Sequence, residues 1–489
     1  MRIAFASAEV FPYAKTGGLG DVLGALPKIL KKQGFDVKVF LPKYATIDHS
    51  KYDLDYCYPI GEMPIRVNGT VHKVNVFHSI MPDSEVDVYF LDCPHYYNRS
   101  TIYTNDRDED ERFIMLCKGV LESLQRLQWK PDVIHCNDWQ TGLIPLYLKD
   151  NYNWDRFFDG VATVMTIHNI AYQGRFGKHT VEKAEIRPEL FYQNSSIEVW
   201  GNISFLKAGL MYADAINTVS YTYAHEITTS EFGAGLEGVL RHRINDFWGI
   251  LNGVDYHVWN PATDKHLPFH YSLSDMSGKE ANKKFLLESV HLPYRENVPL
   301  IGIVSRMVSQ KGFDLIARGI NELMQLDVQW AVLGTGEDEF EDLFRSLSYV
   351  YPQKVFSYIG FNNDLSHLIE AAADIFLMPS YYEPCGLNQI YSLKYGTVPV
   401  VRKTGGLADT VKDWHELYYS GNYDGTGFTF NDYTPYALVS TVRRAVDAYY
   451  DKDLWNKIIL NGMLKDFSWE NSARTYKELY HHALKNKRG

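Results

Sequence analysis

Short apolar runs alternate along the chain with longer stretches of helical period, the pattern of parallel strands joined by crossover helices. In the first half the runs fall at 3–7, 37–41, 86–91, 133–135, 161–167 and 215–219. Between the first two of these, Val22, Leu26, Ile29 and Leu30 mark one face of a helix over 22–33 that Gly34 stops, with Pro27 accommodated as a kink. After Gly249-Ile250-Leu251-Asn252-Gly253-Val254 the pattern restarts. Strands are then predicted at 300–304, 330–333, 355–359, 375–379 and 398–401, and helices at 314–326, 367–373 and 385–395. Residues 468–484 have helical composition. The expectation is an α/β protein of two doubly wound, Rossmann-like domains, 1–250 and 251–465, facing across a cleft, with a C-terminal helix in 466–489.

The length of 489 residues fits this division, because one hydrophobic core rarely grows so large. With 45% hydrophobic and 22% charged residues the chain is globular, which excludes disordered and fibrous classes. Its 49 basic and 60 acidic residues leave a net charge of −11, which argues against nucleic acid or an anionic membrane as the main partner. A local basic pocket for phosphates remains open. The five cysteines, Cys57, Cys93, Cys117, Cys136 and Cys385, are scattered and include no C-x-x-C pair, as expected in a reducing compartment. Met1-Arg2-Ile3-Ala4-Phe5-Ala6 enters a strand without a signal peptide's longer apolar core, and no apolar run reaches the ~20 residues of a membrane helix. These features predict a cytoplasmic location.

Ligands of open parallel sheets bind beyond the carboxyl ends of the strands, where helix N-termini also point. Lys15, Asp138, His168, Arg306, Lys311 and Glu383 each follow a predicted strand by a few positions. So does an internal echo: Lys15-Thr16-Gly17-Gly18-Leu19 recurs as Lys403-Thr404-Gly405-Gly406-Leu407. Each glycine pair either makes a tight turn or lets backbone N–H groups approach a phosphate at a helix start. Gly334-Thr335-Gly336 has Glu339 where a dinucleotide fingerprint needs its last glycine, so it is not read as a nicotinamide site. Arg306 and Lys311 are either a solvated pair or the cations that neutralise a diphosphate. In Ser380-Tyr381-Tyr382-Glu383-Pro384-Cys385-Gly386-Leu387-Asn388-Gln389, Glu383 suits an acid, a base or a hydroxyl anchor. Cys385 takes a packing role with its backbone near ligand, and the Gly386 and Leu387 amides face a helix mouth. Asp138 and His168 read as structural or catalytic on residue type alone. Asp106-Arg107-Asp108-Glu109-Asp110 reads as a solvated cluster opening a helix, not as a metal site.

Taken in order, K-T-G-G-L at 15–19, H-C-N-D-W at 135–139, T-I-H-N at 166–169, L-N-G-V-D at 251–255, N-P-A-T-D at 260–264, S-R-M-V-S-Q-K-G at 305–312, S-Y-Y-E-P-C-G-L-N-Q at 380–389 and V-R-K-T-G-G-L-A-D-T at 401–410 resemble the bacterial glycogen synthase and plant starch synthase family. The resemblance spans both predicted domains. It implies a GT-B fold and transfer of glucose from ADP-glucose to the non-reducing end of an α-1,4-glucan, with retention and release of ADP. By motif position it implies that Lys15 and the Gly17-Gly18 turn lie beside the donor phosphates, that Arg306 and Lys311 clamp them, and that Glu383 is the essential glutamate near the donor glucose. Cys385, Gly386, Leu387 and the Thr404-Gly405-Gly406 turn would add backbone contacts, and Asp138, His168 and Asn252 would surround the glucose. Phe361 stands where the family often places an adenine-stacking tyrosine, keeping the ring and losing the hydroxyl. No metal or cofactor is implied, since ADP-glucose is a substrate, and the partners are ADP-glucose and the glucan. Either a backbone carbonyl at His168 or the Glu383 carboxylate would steady the oxocarbenium-like centre. Front-face return and double displacement both fit. Two rival readings are a GT-B transferase with UDP-glucose or a small acceptor, and an inactive glucan- or nucleotide-sugar-binding regulator.

Overall fold

The computed structural model describes residues 1–488 and divides them into two compact units, Met1–Gly253 together with the C-terminal helix Trp469–Arg488, and Val254–Ser468. The strands of the first are β1 (Arg2–Ala6), β2 (Asp36–Pro42), β3 (Asp55–Tyr56), β4 (Met63–Val67), β5 (Thr70–Ile80), β6 (Asp87–Asp92), β7 (Val133–Asn137), β8 (Ala162–Ile167), β9 (Arg175–Phe176), β10 (Glu198–Val199), β11 (Asn202–Ser204), β12 (Ala215–Thr218) and β13 (Phe247–Gly249). Those of the second are β14 (Leu300–Val304), β15 (Gln329–Gly334), β16 (Val355–Ile359), β17 (Ile375–Met378), β18 (Val398–Arg402) and β19 (Phe428–Phe430).

The main sheet of the first unit runs β13-β12-β8-β7-β1-β2-β6-β5-β3, with β4 paired to β5. Its seven members from β13 to β6 are parallel, while β3, β4 and β5 pair antiparallel at one end. The chain leaves β1 toward β2 and β6, then returns to the other side of β1 through β7, β8, β12 and β13. The strand order therefore reverses between β1 and β7, the place where open α/β sheets bind ligands. The second unit repeats the device in a fully parallel sheet, β16-β15-β14-β17-β18-β19, which reverses between β14 and β17.

Helices cover these strands for the reason their sequences suggest. Gly18–Lys32 buries Leu19, Val22, Leu23, Leu26 and Leu30, continues through Pro27, and ends before Gly34 at a positive φ of 88°. The helix expected over 314–326 is two, Phe313–Arg318 and Ile320–Gln325, because Gly319 breaks it. The one expected from 385 begins only at Asn388 and runs to Lys394, since Gly386 takes a φ of +70° that no helix contains. The acidic cluster is corrected from Glu109 onward. In the helix Glu109–Arg126, Glu109 pairs with the buried Arg112 (2.7 Å), and Asp110 accepts from Thr180 Oγ1 (2.6 Å) and Lys183 Nζ (3.1 Å). Those carboxylates are internal and cation-matched, because this helix is covered on nearly every side.

The C-terminal helix belongs to the first unit. Tyr480 hydroxyl meets His135 Nδ1 (2.9 Å) on β7, and Asn217 on β12 donates its amide to the Tyr476 hydroxyl (3.3 Å). Thr166 Oγ1 on β8 donates to Asn217 Oδ1 and must therefore accept from His135 Nε2, both at 2.6 Å, which leaves Nδ1 to accept from Tyr480. No helix of the described residues is long and apolar enough to cross a membrane. The five cysteines are free and buried.

Candidate active site

The two strand-order reversals carry the residues singled out in the sequence. In the first unit, the segment after β1 brings the buried Glu9 beneath the Lys15-Thr16-Gly17-Gly18 turn. Its carboxylate accepts from the Thr16 backbone N–H (2.6 Å), the Thr16 hydroxyl (2.7 Å), the Gly17 N–H (3.0 Å) and the Tyr103 hydroxyl (2.6 Å). An internal carboxylate thus takes the Gly17 N–H, as the tight-turn alternative has it, in a turn that the family resemblance sets beside the donor phosphates. Gly18 opens the helix, where the partial positive charge of the N-terminus remains directed outward. Lys15 is exposed and pairs with Asp21 at 2.7 Å.

Across the reversal, Asp138 follows β7 with a left-handed φ of 54°. That conformation aims its Oδ1 at the backbone N–H of His168 (2.7 Å) at the end of β8. Burial pushes the Asp138 carboxyl up to about 7, against the pull of the His168 and Asn169 amides. The same burial drives His168 down to about 3, so the ring is neutral near pH 7. Asn137 spends its amide nitrogen on the carbonyls of Ala6 and His135, and its Oδ1 accepts from His168 Nε2 (3.0 Å). His168 Nδ1 is therefore an acceptor, and among the described residues nothing donates to it. A neutral imidazole fixed in this way receives a hydroxyl and does not deliver a proton. Asn252 lies buried nearby in sequence to β13, and its Oδ1 has no hydrogen-bond partner. A buried acceptor left open is costly unless a ligand fills it.

In the second unit, β14 is followed by Ser305-Arg306, and the loop crosses the end of β15. A Cβ on Gly334 would lie 1.9 Å from the Ser305 carbonyl oxygen and one on Gly336 2.2 Å from that of Met307. The Gly334-Thr335-Gly336 turn is therefore a passage for this loop. It leaves Arg306 exposed, and among the described residues none accepts from its guanidinium. Lys311 behaves differently. At a turn where Gly312 takes a φ of +82°, its Nζ reaches the carboxylate of Glu383 at 2.6 Å. Glu383, only 5% exposed, also accepts from Ser380 Oγ (3.0 Å). The expected cation pair thus splits into one bare arginine and one lysine matched to a buried carboxylate.

The echo turn explains how Glu383 is held. Added Cβ atoms on Gly405 and Gly406 would come within 1.8 Å of the Glu383 carbonyl oxygen and 2.0 Å of that of Cys385. The Gly406 N–H donates to the carbonyls of Glu383 (3.2 Å) and Pro384 (3.3 Å). These glycines, with the buried Thr404 before them, let the 383–385 backbone lie directly on the helix Gly405–Thr410. Leu387 precedes the next helix, and Gln389 donates from Nε2 to the Cys385 and Gly386 carbonyls. Past β16, Gly360 donates to the Gly334 carbonyl (2.9 Å), and Phe361 stands 87% exposed.

Sequence reasoning missed Glu9, Asn137, Ser380 and Arg402. Arg402, at the end of β18, donates to the carbonyls of Tyr381 and Asn431 and lies over the Tyr381 and Tyr433 rings, which fixes the loop before Glu383. All four lie at or just beyond strand ends, so the placement rule that found Lys15 and Glu383 also reaches them.

Comparison with known proteins gives the family. Residues 2–242 match the starch synthase catalytic domain, and residues 288–460 match the glycosyl transferases group 1 family. The chain is 44% identical to the glycogen synthase of Desulforudis audaxviator (strain MP104C), over 99% of this chain and 97% of that protein. It is 43% identical to the glycogen synthase of Thermotoga maritima, over 99% of each. The catalytic domain of starch synthase IV from Arabidopsis thaliana, solved bound to ADP and acarbose, superposes with a TM-score of 0.91 at 31% identity, covering 99% of both chains. By this homology the protein is a glucosyltransferase of GT-B fold, and the chain belongs to the glycogen and starch synthase family.

Proposed function

We propose that the protein transfers glucose from ADP-glucose to the non-reducing end of an α-1,4-glucan, with retention at the anomeric carbon and release of ADP. The observation that carries the reading is the group at the ends of β14 and β17: a bare Arg306, and Lys311 held against the buried Glu383. Breaking an anomeric C–O bond builds negative charge on the departing diphosphate and positive charge on the sugar. Arg306 and Lys311 supply cations for the first, and Glu383, held by Lys311 and Ser380, supplies a fixed anion for the second. Within the first unit, Lys15 and the helix start at Gly18 offer positive potential of the sign a phosphate needs. The buried open acceptors, Asn252 Oδ1 and His168 Nδ1, suit glucose hydroxyls, and Asp138 orients His168 through its backbone. Phe361 offers a ring to the adenine, as fits a relative solved with ADP. The amides of Gly386 and Leu387 and the Cys385 backbone border Glu383. Under this reading catalysis requires no metal, and the enzyme works in the cytoplasm.

The test is incorporation of labelled glucose into glycogen from ADP-glucose and, separately, UDP-glucose, with a chelator present, followed by the anomeric proton signal of the product. Incorporation from ADP-glucose into an α-linked product is expected. Preference for UDP-glucose would replace the donor assignment, and folded protein with no incorporation from either would replace the enzyme reading with the binding-protein one.

A further inference from the structure

Trp200 is 71% exposed, yet its backbone is held in the left-handed region at a φ of 52°. It forms, with Gly201 at 82°, the two-residue turn between β10 and β11, where Glu198 pairs with Ile203 and Val199 with Asn202. Two positive φ angles suit a tight hairpin, but Asn, Asp or Gly meets the first of them at far lower cost than a bulky aromatic. Strain that a sequence keeps at an exposed position signals a task for the side chain.

The surroundings hold the ring from one side. Arg175, on the neighbouring strand β9, lies with its guanidinium 4.3 Å from the ring centroid. That arginine is itself fixed, donating to Gln173 Oε1 (2.9 Å) and the Ala234 carbonyl (2.9 Å). Gly235 leaves the ring its space, since a Cβ there would fall 2.8 Å from Trp200 Cζ2. Glu198 locks the turn by accepting the backbone N–H groups of Gly201 and Asn194. Among the described residues none accepts a hydrogen bond from the indole N–H. What results is a rigid aromatic plate with a supported face, an open face and a free donor, on the segment that runs on from His168.

We propose that Trp200 is a binding platform for the α-1,4-glucan acceptor, stacking the C–H face of a glucose unit on its open indole face and offering its N–H to a sugar hydroxyl. This rests on the glucan acceptor proposed above. A polymeric acceptor gains from a rigid contact on the protein surface, because such a contact raises its local concentration without ordering a loop each time.

The test measures maltoheptaose affinity by calorimetry, the melting temperature and glycogen-dependent turnover in the wild type, Trp200→Asn, Trp200→Phe and Trp154→Ala. Asn accepts the left-handed turn, so Trp200→Asn should melt no lower than the wild type while losing at least tenfold in glucan affinity, with KM for glycogen rising more than kcat changes. Trp200→Phe should retain part of the affinity. Trp154, another exposed tryptophan but with its N–H spent on the Asn151 carbonyl, should be replaceable by Ala without effect on affinity. Wild-type affinity in Trp200→Asn, with glucose still incorporated from ADP-glucose, overturns the platform alone. Maltoheptaose binding that depends on Trp200 in a protein without transfer activity supports the platform and overturns the transferase reading. Absence of maltoheptaose binding in the wild type overturns the platform.

Discussion

Two cations five positions apart, Arg306 and Lys311, have opposite energetic roles, because one is bare and the other neutralises a buried carboxylate. Removing one partner of a buried pair strands the other charge, and Lys311→Ala leaves Glu383 with only the Ser380 hydroxyl. That variant should lose about 3 kcal/mol of stability as well as turnover. Arg306→Ala removes a side chain that no described residue needs, so its stability should stay within about 0.5 kcal/mol of the wild type while KM for ADP-glucose rises. Glu383→Gln keeps the shape and hydrogen-bonding capacity of the site and should remain folded with turnover reduced ~10²-fold or more. Denaturant melts beside initial rates separate the three, and an Arg306→Ala enzyme with wild-type kinetics would remove that residue from the donor site.

At the scale of elements, two identical five-residue turns do different work. A Cβ added at Gly17 or Gly18 meets nothing within 4 Å, whereas at Gly405 or Gly406 it meets backbone oxygen at 1.8 and 2.0 Å. Gly17→Ala and Gly18→Ala should therefore change stability by no more than about 1 kcal/mol. Gly405→Ala and Gly406→Ala should cost on the order of 3 kcal/mol and displace Glu383, abolishing turnover. Comparable melts for all four would refute this division. The repeat itself was visible in the sequence; its asymmetry was not, because what lies on Gly405 is the chain some twenty residues earlier. The same limit explains the other differences. The parallel strands were legible as apolar runs, being buried on both faces. The β4–β5 hairpin was passed over although Asn68-Gly69, both at positive φ, sits between alternating positions and is the strongest short-range hairpin signal. The helix Glu109–Arg126 looked half-solvated because Lys183, the partner of its acidic start, is remote in sequence. Of the candidate site, residue types at strand ends were readable, Glu9 and Arg402 among them, while what they hold, the first turn for Glu9 and the loop before Glu383 for Arg402, became visible only in the fold.

At the scale of the whole molecule, three internal groups of the first unit, His135, His168 and Asp138, oppose one another in their contributions to acid stability. Burial lowers His135 and His168 to about 3, so between that pH and the ordinary histidine value near 6.5 the unfolded chain binds two protons that the folded chain refuses. Each imidazole thus withdraws about 1.4 kcal/mol per pH unit as the pH falls through this window. Asp138 works in the other direction. Its carboxyl, raised to about 7, keeps a proton in the folded state that an unfolded aspartate near 3.9 has released. Its stabilising contribution is complete below about pH 4 and is lost as the pH rises through 7. Between about pH 6 and 4 these groups sum to one net proton, a loss of about 1.4 kcal/mol per unit on acidification. Asp138→Asn should double that slope by removing the opposing group, and His135→Gln should flatten it toward zero while leaving the residues around Glu383 untouched. Hydrogen exchange of the β7 and β8 amides from pH 4 to 7 reads the effect within the first unit. A His135→Gln protein with the wild-type slope would mean that this ring is already charged in the folded state and that the Tyr480 and Thr166 hydroxyls hold an imidazolium.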